Sequence, residues 1–350
     1  MRQPWATVPW ILHFARGIGI IIGMVPTSID SNDLSVKRLT GVASGDSHLA
    51  VSFQQPRVLA WEVTRRCPLK CRHCRAAADG TMHDGELSTA ECRRVIDSLS
   101  RTMIIWTGGE PMCRPDIVEL VAYATSRGLR SVMAPCGMLV TDERLAALKS
   151  AGVTALSLSL DGPDADTHDS FRGVDGAYDG VVRAMASARR VGIPFQVNTT
   201  VSKFNIDKLD AIACKARELG AAKLDLFFLV PVGRGRGIAQ YALSDEETKR
   251  VLDWSFGLEG IAVKHTCCPS APARWATCGE PGPRPCGCLG GRGFAFLSHV
   301  GDLQTCGFID VPCGNIRSFS YDFSALVAAA ANPLGANGTC RGPSPRLAQD

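Results

Sequence analysis

The chain has 350 residues, 45% of them hydrophobic, which is enough for one sizeable core and a smaller appended module. Its 38 basic and 34 acidic residues leave a formal charge of +4, too mild to suggest nucleic acid, although a local basic pocket for a multiply charged anion is compatible with it. Its 15 cysteines exceed what an ordinary cytosolic protein carries. They bunch at 67–74 and 267–313 of a long chain, a pattern that favours metal ligation in a reducing, cytoplasmic setting over a small secreted disulfide scaffold.

Residues 1–55 read as an irregular N-terminal extension. Within it "WILHFARGIGIIIGMV" (10–25) is interrupted by His13 and Arg16. Its apolar run falls short of the roughly 20 residues a spanning helix needs, so no clear membrane anchor is expected. Between 56 and 240 a strand-then-helix rhythm sets in. Apolar, β-branched runs at 57–64, 102–107, 129–135, 153–161, 193–201 and 223–231 predict buried parallel strands. Amphipathic segments at 88–100, 114–128, 141–152, 177–192 and 205–220 predict the helices between them, several opening on Asp, Asn, Ser or Thr and closing on Gly. Such units, joined by right-handed crossovers, predict an α/β fold, a partial (β/α)6 TIM-like barrel. The "VGRGRG" loop (232–237) then leads into a helix at about 244–257. Residues 241–350 are read as a small Cys-rich extension with a β-hairpin: "GFAFLSH", a turn at Val300–Asp302, then "LQTCGFI".

Ligands of β/α folds bind at the carboxyl ends of the strands, where this chain places its notable sequences. After the first strand stands "CPLKCRHC" (67–74), three cysteines with no fourth nearby. A structural zinc site wants four protein ligands, and His73, between two cysteines on a tight loop, is poorly placed to complete one with Cys74. A four-iron cubane on three thiolates instead leaves one iron open. "TGGEP" follows the second strand, "SLDG" the fourth, and "NTT" lies late in the fifth. Cys92 and Cys214 read as buried small hydrophobes, whereas Cys113 and Cys136 lie on loops near the expected site.

Over residues 57–231 the chain resembles the radical S-adenosylmethionine (SAM) superfamily. The resemblance implies that Cys67, Cys71 and Cys74 hold a 4Fe-4S cluster whose open iron chelates SAM. It places His73 near the adenine and Gly108, Gly109, Glu110 and Pro111 at the methionine amino group. Ser159 and Asn198 would meet the carboxylate and ribose, with Arg172 a further contact. "PCGML" stands where the family commonly has Asn-Gly. SAM would be cleaved reductively to methionine and a 5'-deoxyadenosyl radical, with the electron supplied by a flavodoxin or ferredoxin.

The stretch 286–317 resembles the SPASM and twitch extensions of that superfamily, which hold auxiliary iron-sulfur clusters. One auxiliary cluster is expected, on Cys288, Cys306, Cys313 and Cys340, with Cys267, Cys268, Cys278 and Cys286 in reserve; a zinc knuckle on the same cysteines is the alternative. The phrase "GCLGGRGFAFLSHVGDLQTCGFIDVPCGNIR" further resembles SAM-dependent heme synthases, which decarboxylate two propionates of iron-coproporphyrin III to vinyls. A tetrapyrrole with four carboxylates needs cationic clamps, and Arg234, Arg236 and Arg292 are the candidates. A peptide-modifying maturase, a heme d1 pathway enzyme and a non-catalytic iron-sulfur protein are the other readings of the same motifs.

Overall fold

The computed structural model describes residues 56–267, 289–291 and 293–331. All six apolar runs are strands: β1 (Val58–Glu62), β2 (Met103–Thr107), β3 (Arg130–Met133), β4 (Val153–Ser159), β5 (Phe195–Val201) and β6 (Lys223–Phe228). The predicted helices are α1 (Thr89–Ser98), α2 (Ile117–Ser126), α3 (Asp142–Ala151), α5 (Ala177–Val191) and α6 (Leu209–Glu218), with α7 (Asp245–Phe256) after the sixth strand. Two further helices were not predicted, α4 (Ala165–Arg172) and α8 (Phe323–Ala331). Start signals do what their chemistry demands: Ser88 and Ser244 form capping boxes with Glu91 and Glu247. Asp164 accepts from Thr167 N–H at 2.8 Å and so permits the short α4.

β1 to β6 lie side by side, each parallel to the next, as a partial (β/α)6 barrel requires. The sheet does not stop at residue 240. β7 (Ala262–Thr266) adds to β6, and β8 (Phe294–Leu297) adds to β1, both parallel. The hairpin exists, but its second strand, β9 (Leu303–Gln304), is shorter than predicted because the chain turns away before Cys306. Both edges of the six-strand unit are thus covered by later parts of the chain.

Side chains alternate across this sheet. Leu59 and Trp61 of β1 and Ile104 and Trp106 of β2 face the helix layer, where the two indoles stack at 5.5 Å between centroids and Trp106 Nε1 donates to Ser131 Oγ at 2.9 Å. The opposite face begins apolar, with Val58, Met103, Val132 and Ala155. Toward the carboxyl ends it turns polar, with Glu62, Ser157 and Asp225 buried in the same pleat. Trp106→Ala is expected to remove about 3–5 kcal/mol of stability. A fall in the urea midpoint at unchanged slope, followed by circular dichroism, checks this.

Candidate active site

The loop leaving β1 carries the three cysteines and is held chiefly by main-chain groups. Cys67 N–H donates to Asp79 O (2.6 Å), while Lys70 and Arg72 N–H donate to Arg172 O and Phe171 O (3.2 and 3.0 Å). The last carbonyls of α4, without helical partners of their own, therefore dock the loop. Gly173 makes this approach possible: its φ is +71°, and a Cβ there would stand 2.5 Å from Lys70 O. Cys67 and Cys71 are buried and Cys74 half-buried, in one apolar pack with Leu69, Ala76, Ala78 and Ala177. Leu69 N–H donates to Cys67 Sγ at 3.4 Å, and Arg172 Nη1 to Cys71 Sγ at 3.8 Å. Burial pushes the Cys71 thiol up to about 11 against the pull of Arg172. A hydrogen bond with Cys136, ahead of burial, lowers that of Cys67. Cys136 in "PCGML" thus touches the first cysteine, a contact the sequence did not reveal.

"GGEP" works by close backbone approach. A Cβ on Gly108 would stand 2.2 Å from Thr64 O, and one on Gly109 2.4 Å from Arg65 O. With both absent, Gly109 and Glu110 N–H donate to Thr64 O and Arg66 O (2.7 and 2.8 Å), strapping the strand end to the segment before Cys67. Pro111 opens a 3-10 turn, Pro111–Cys113, with Glu110 as its cap: the wholly buried carboxylate accepts from Met112 N–H (2.8 Å) and Cys136 N–H. Burial raises the Glu110 carboxyl despite these donors.

Arg172 is buried and ion-paired to Asp161 (2.6 Å), whose other oxygen accepts from Thr200 N–H (2.7 Å). Asp161, in "SLDG", belongs to the site although only its motif was legible beforehand. His73 stacks on Phe171 at 4.3 Å between centroids, and burial holds it well below the usual imidazole range, hence neutral. Ser159 lies opposite Asn198 in the β4–β5 register, but the Asn198 amide donates to Ser157 Oγ (2.8 Å) and accepts from Gln196 (2.8 Å). Asn198 is therefore preset by a polar row along the concave face.

Arg234 does something the sequence did not suggest. Its Nε donates to Cys71 O (2.9 Å), its Nη1 to Ala78 O (2.7 Å), and its main-chain N–H to Cys74 O (3.0 Å). It clamps the cysteine loop, and Gly233 allows it, since a Cβ there would meet Arg75 O at 2.2 Å. Arg236 is exposed, and Arg292 lies outside the described residues. Cys306 and Cys313 follow β9 and are partly buried, Cys313 N–H donating to Leu303 O (2.7 Å). Cys288 and Cys340 lie outside the described residues, as do Cys268, Cys278 and Cys286. Cys92 is buried as expected, but Cys214 is corrected to exposed: it sits on the outer side of α6, its Sγ 3.6 Å from Glu218 Oε1.

These residues fit a cluster with a bound nucleoside-type ligand. Among the described residues no three His, Cys, Asp or Glu side chains converge on a single-ion position. Three buried polar atoms around the loop lack partners within the protein, His73 Nδ1, Arg172 Nε and Arg234 Nη2. Most buried polar groups in native proteins are satisfied, so three such atoms gathered around one loop fit a site that a ligand would complete. Arg234→Gln is expected to lower iron and labile sulfide per chain after reconstitution several-fold, whereas Arg236→Gln leaves both unchanged. Gly109→Ala, which drives a methyl into the Arg65 and Arg66 carbonyls, is expected to lower them further, as read by cluster absorbance.

The family model described as the radical SAM superfamily matches residues 61–213. The AdoMet-dependent heme synthase of Nitratidesulfovibrio vulgaris is 40% identical over 280 residues, covering 75% of this chain and 76% of that protein. The AdoMet-dependent heme synthase of Methanosarcina barkeri is 40% identical over 281 residues, covering 75% and 80%. A crystal structure of Streptococcus suis SuiB bound to S-adenosylmethionine shares the fold, with a TM-score of 0.60 at 17% identity over 81% of this chain and 67% of that one. Among the described residues no helix is long and apolar enough to cross a membrane. With its three-cysteine loop, its strapped Gly-Gly-Glu-Pro turn and these relatives, the chain belongs to the radical SAM superfamily and is an enzyme of that class, similar to the AdoMet-dependent heme synthases.

Proposed function

We propose that the enzyme converts iron-coproporphyrin III to heme b by oxidative decarboxylation of two propionates. The observation that carries this reading is the extent of the similarity. It reaches 40% identity with heme synthases over 75% of the chain, well beyond the 61–213 span common to the superfamily. When bound, the cluster and SAM supply a 5'-deoxyadenosyl radical that takes one hydrogen atom from a propionate β-carbon. The carbon–carboxylate bond then breaks, carbon dioxide leaves, and one electron must depart for the vinyl double bond to form. A single auxiliary cluster on Cys288, Cys306, Cys313 and Cys340 would receive that electron; a flavodoxin or ferredoxin would supply the one that starts the cycle.

The protein's own part is to keep the reacting groups dry and fixed. Neutral His73, stacked on Phe171, offers a flat apolar wall for an adenine, and the preset Asn198 offers an amide to a ribose or carboxylate. The Glu110 carboxylate, held by two main-chain donors, would receive the ammonium group of the methionine moiety. Burying unpaired carboxylates is costly, so the propionates call for cations; Arg236 and Arg292 are candidates, and Arg234 keeps only Nη2 for such a role.

Anaerobic incubation of the reconstituted enzyme with SAM, a strong reductant and iron-coproporphyrin III is expected to yield stepwise loss of two formic-acid equivalents by mass, alongside 5'-deoxyadenosine. Deoxyadenosine with unchanged porphyrin would overturn the substrate. Cys71→Ala is expected to abolish SAM cleavage altogether. Cys306→Ala should leave 5'-deoxyadenosine formation while blocking decarboxylation, and retained heme formation would remove Cys306 from the electron exit.

A further inference from the structure

Glu62 ends β1 on the concave face and is fully buried. Three cationic or potentially cationic groups converge on it: Arg75 Nη2 at 2.8 Å, Arg65 Nε at 3.1 Å and His299 Nδ1 at 2.9 Å. Burial works to raise its carboxyl, yet Arg75, His299 and Arg65 together hold it down at about 2, so Glu62 is an anion at any working pH. Arg65 also lies beside a second carboxylate, since its main-chain N–H donates to Glu86 Oε1 at 3.1 Å, whereas Arg75, among the described residues, has Glu62 alone.

Arg75 is the group with capacity to spare. It directly follows Cys74, and its guanidinium lies over the Phe296 ring of β8 at 4.2 Å. Gly307, next to Cys306, lies against it: a Cβ there would stand 3.0 Å from Arg75 Nε. The guanidinium therefore sits between the two cysteine-bearing segments. Among the described residues it makes a single hydrogen bond, to Glu62, and its side chain is 19% exposed. Arg172 and Arg234, by contrast, are committed to Asp161, Cys71 and the loop carbonyls. An arginine has five N–H donors in a planar fork matched to carboxylates, and one braced by Glu62 and Phe296 loses little freedom on using them.

We infer that Arg75 receives a carboxylate of the substrate at the barrel mouth, with Glu62 and His299 bracing it for that contact. The inference rests on the tetrapyrrole reading above and assigns a clamp that its sequence motifs did not.

The test is the affinity of the reconstituted, oxygen-free enzyme for iron-coproporphyrin III, followed by porphyrin absorbance. R75Q is expected to weaken binding about 10- to 100-fold, the size of one charge-assisted hydrogen bond in a protected site. R75K, which keeps the charge but not the fork, is expected to fall between. For the tetramethyl ester of the same porphyrin, wild type and R75Q should bind alike. Iron content and the change in the electron paramagnetic resonance signal of the reduced cluster on adding SAM should be those of wild type. Equal affinity of wild type and R75Q for the free acid would overturn the assignment while leaving the proposed reaction standing. Loss of the SAM-induced signal change would place Arg75 on the carboxylate of SAM, and loss of iron in both variants would make it a brace of the loop; either overturns it. Failure of wild type to bind iron-coproporphyrin III at all would remove the proposed substrate and this contact with it.

Discussion

The constraint on which the site depends is that the cysteine loop has no secondary structure of its own and so cannot satisfy its main-chain groups internally. Its shape comes from hydrogen bonds offered by three other elements, mostly through main-chain groups. The end of α4 donates its last carbonyls, the Gly-Gly-Glu turn straps the residues before Cys67, and the loop after β6 reaches across with Arg234. Each approach is closer than a side chain would permit, which is why glycine stands at 109, 173 and 233. The cysteines are thus positioned by neighbours distant in sequence. Preorganisation of this kind spares reorganisation when the ligands are filled.

The second organising effect is electrostatic. Arg172 links the Cys71 sulfur to Asp161, and Asp161 is tied to β5 through Thr200, so one buried charge pair connects the loop to the far wall of the barrel. Removing either partner would strand a buried charge, a heavier penalty than the pair itself confers. Glu62 does the equivalent on the opposite side, joining the loop through Arg75 to the hairpin through His299. Thiolates in so closed a setting gain from N–H donors and guanidinium charge, because burial alone disfavours their ionised form.

Much of this was legible in the sequence, and the remainder was hidden for physical reasons. Strands buried on both faces must be continuous apolar runs, so β1 to β6 stand out. β7, "AVKHT", is only partly buried and carries Lys264 and His265, so no such run marks it. Cys67, Cys71, Cys74 and the glycines of 108–109 were readable because spacing along the chain encodes their geometry. Cys136 and His299 were not, since their partners Cys67 and Glu62 are distant in sequence and nothing local records the contact. Arg234 shows the limit of charge patterning: a guanidinium in a Gly-Arg-Gly loop looks the same whether it faces a ligand or a carbonyl. Cys214 shows the converse, since a cysteine at an apolar spacing can still fall just outside the buried stripe of its helix.

The pairing of β1 with β8 bears on how the protein is made. Val58 meets Phe294 and Trp61 meets Leu297, so the first strand of the barrel acquires its outer neighbour only after residue 297 has been synthesised. Contacts of such long range form late and expose an unpaired edge in the meantime. Until the hairpin is made, Glu62 lacks its partner His299 and Arg75 lacks the Phe296 ring it lies over.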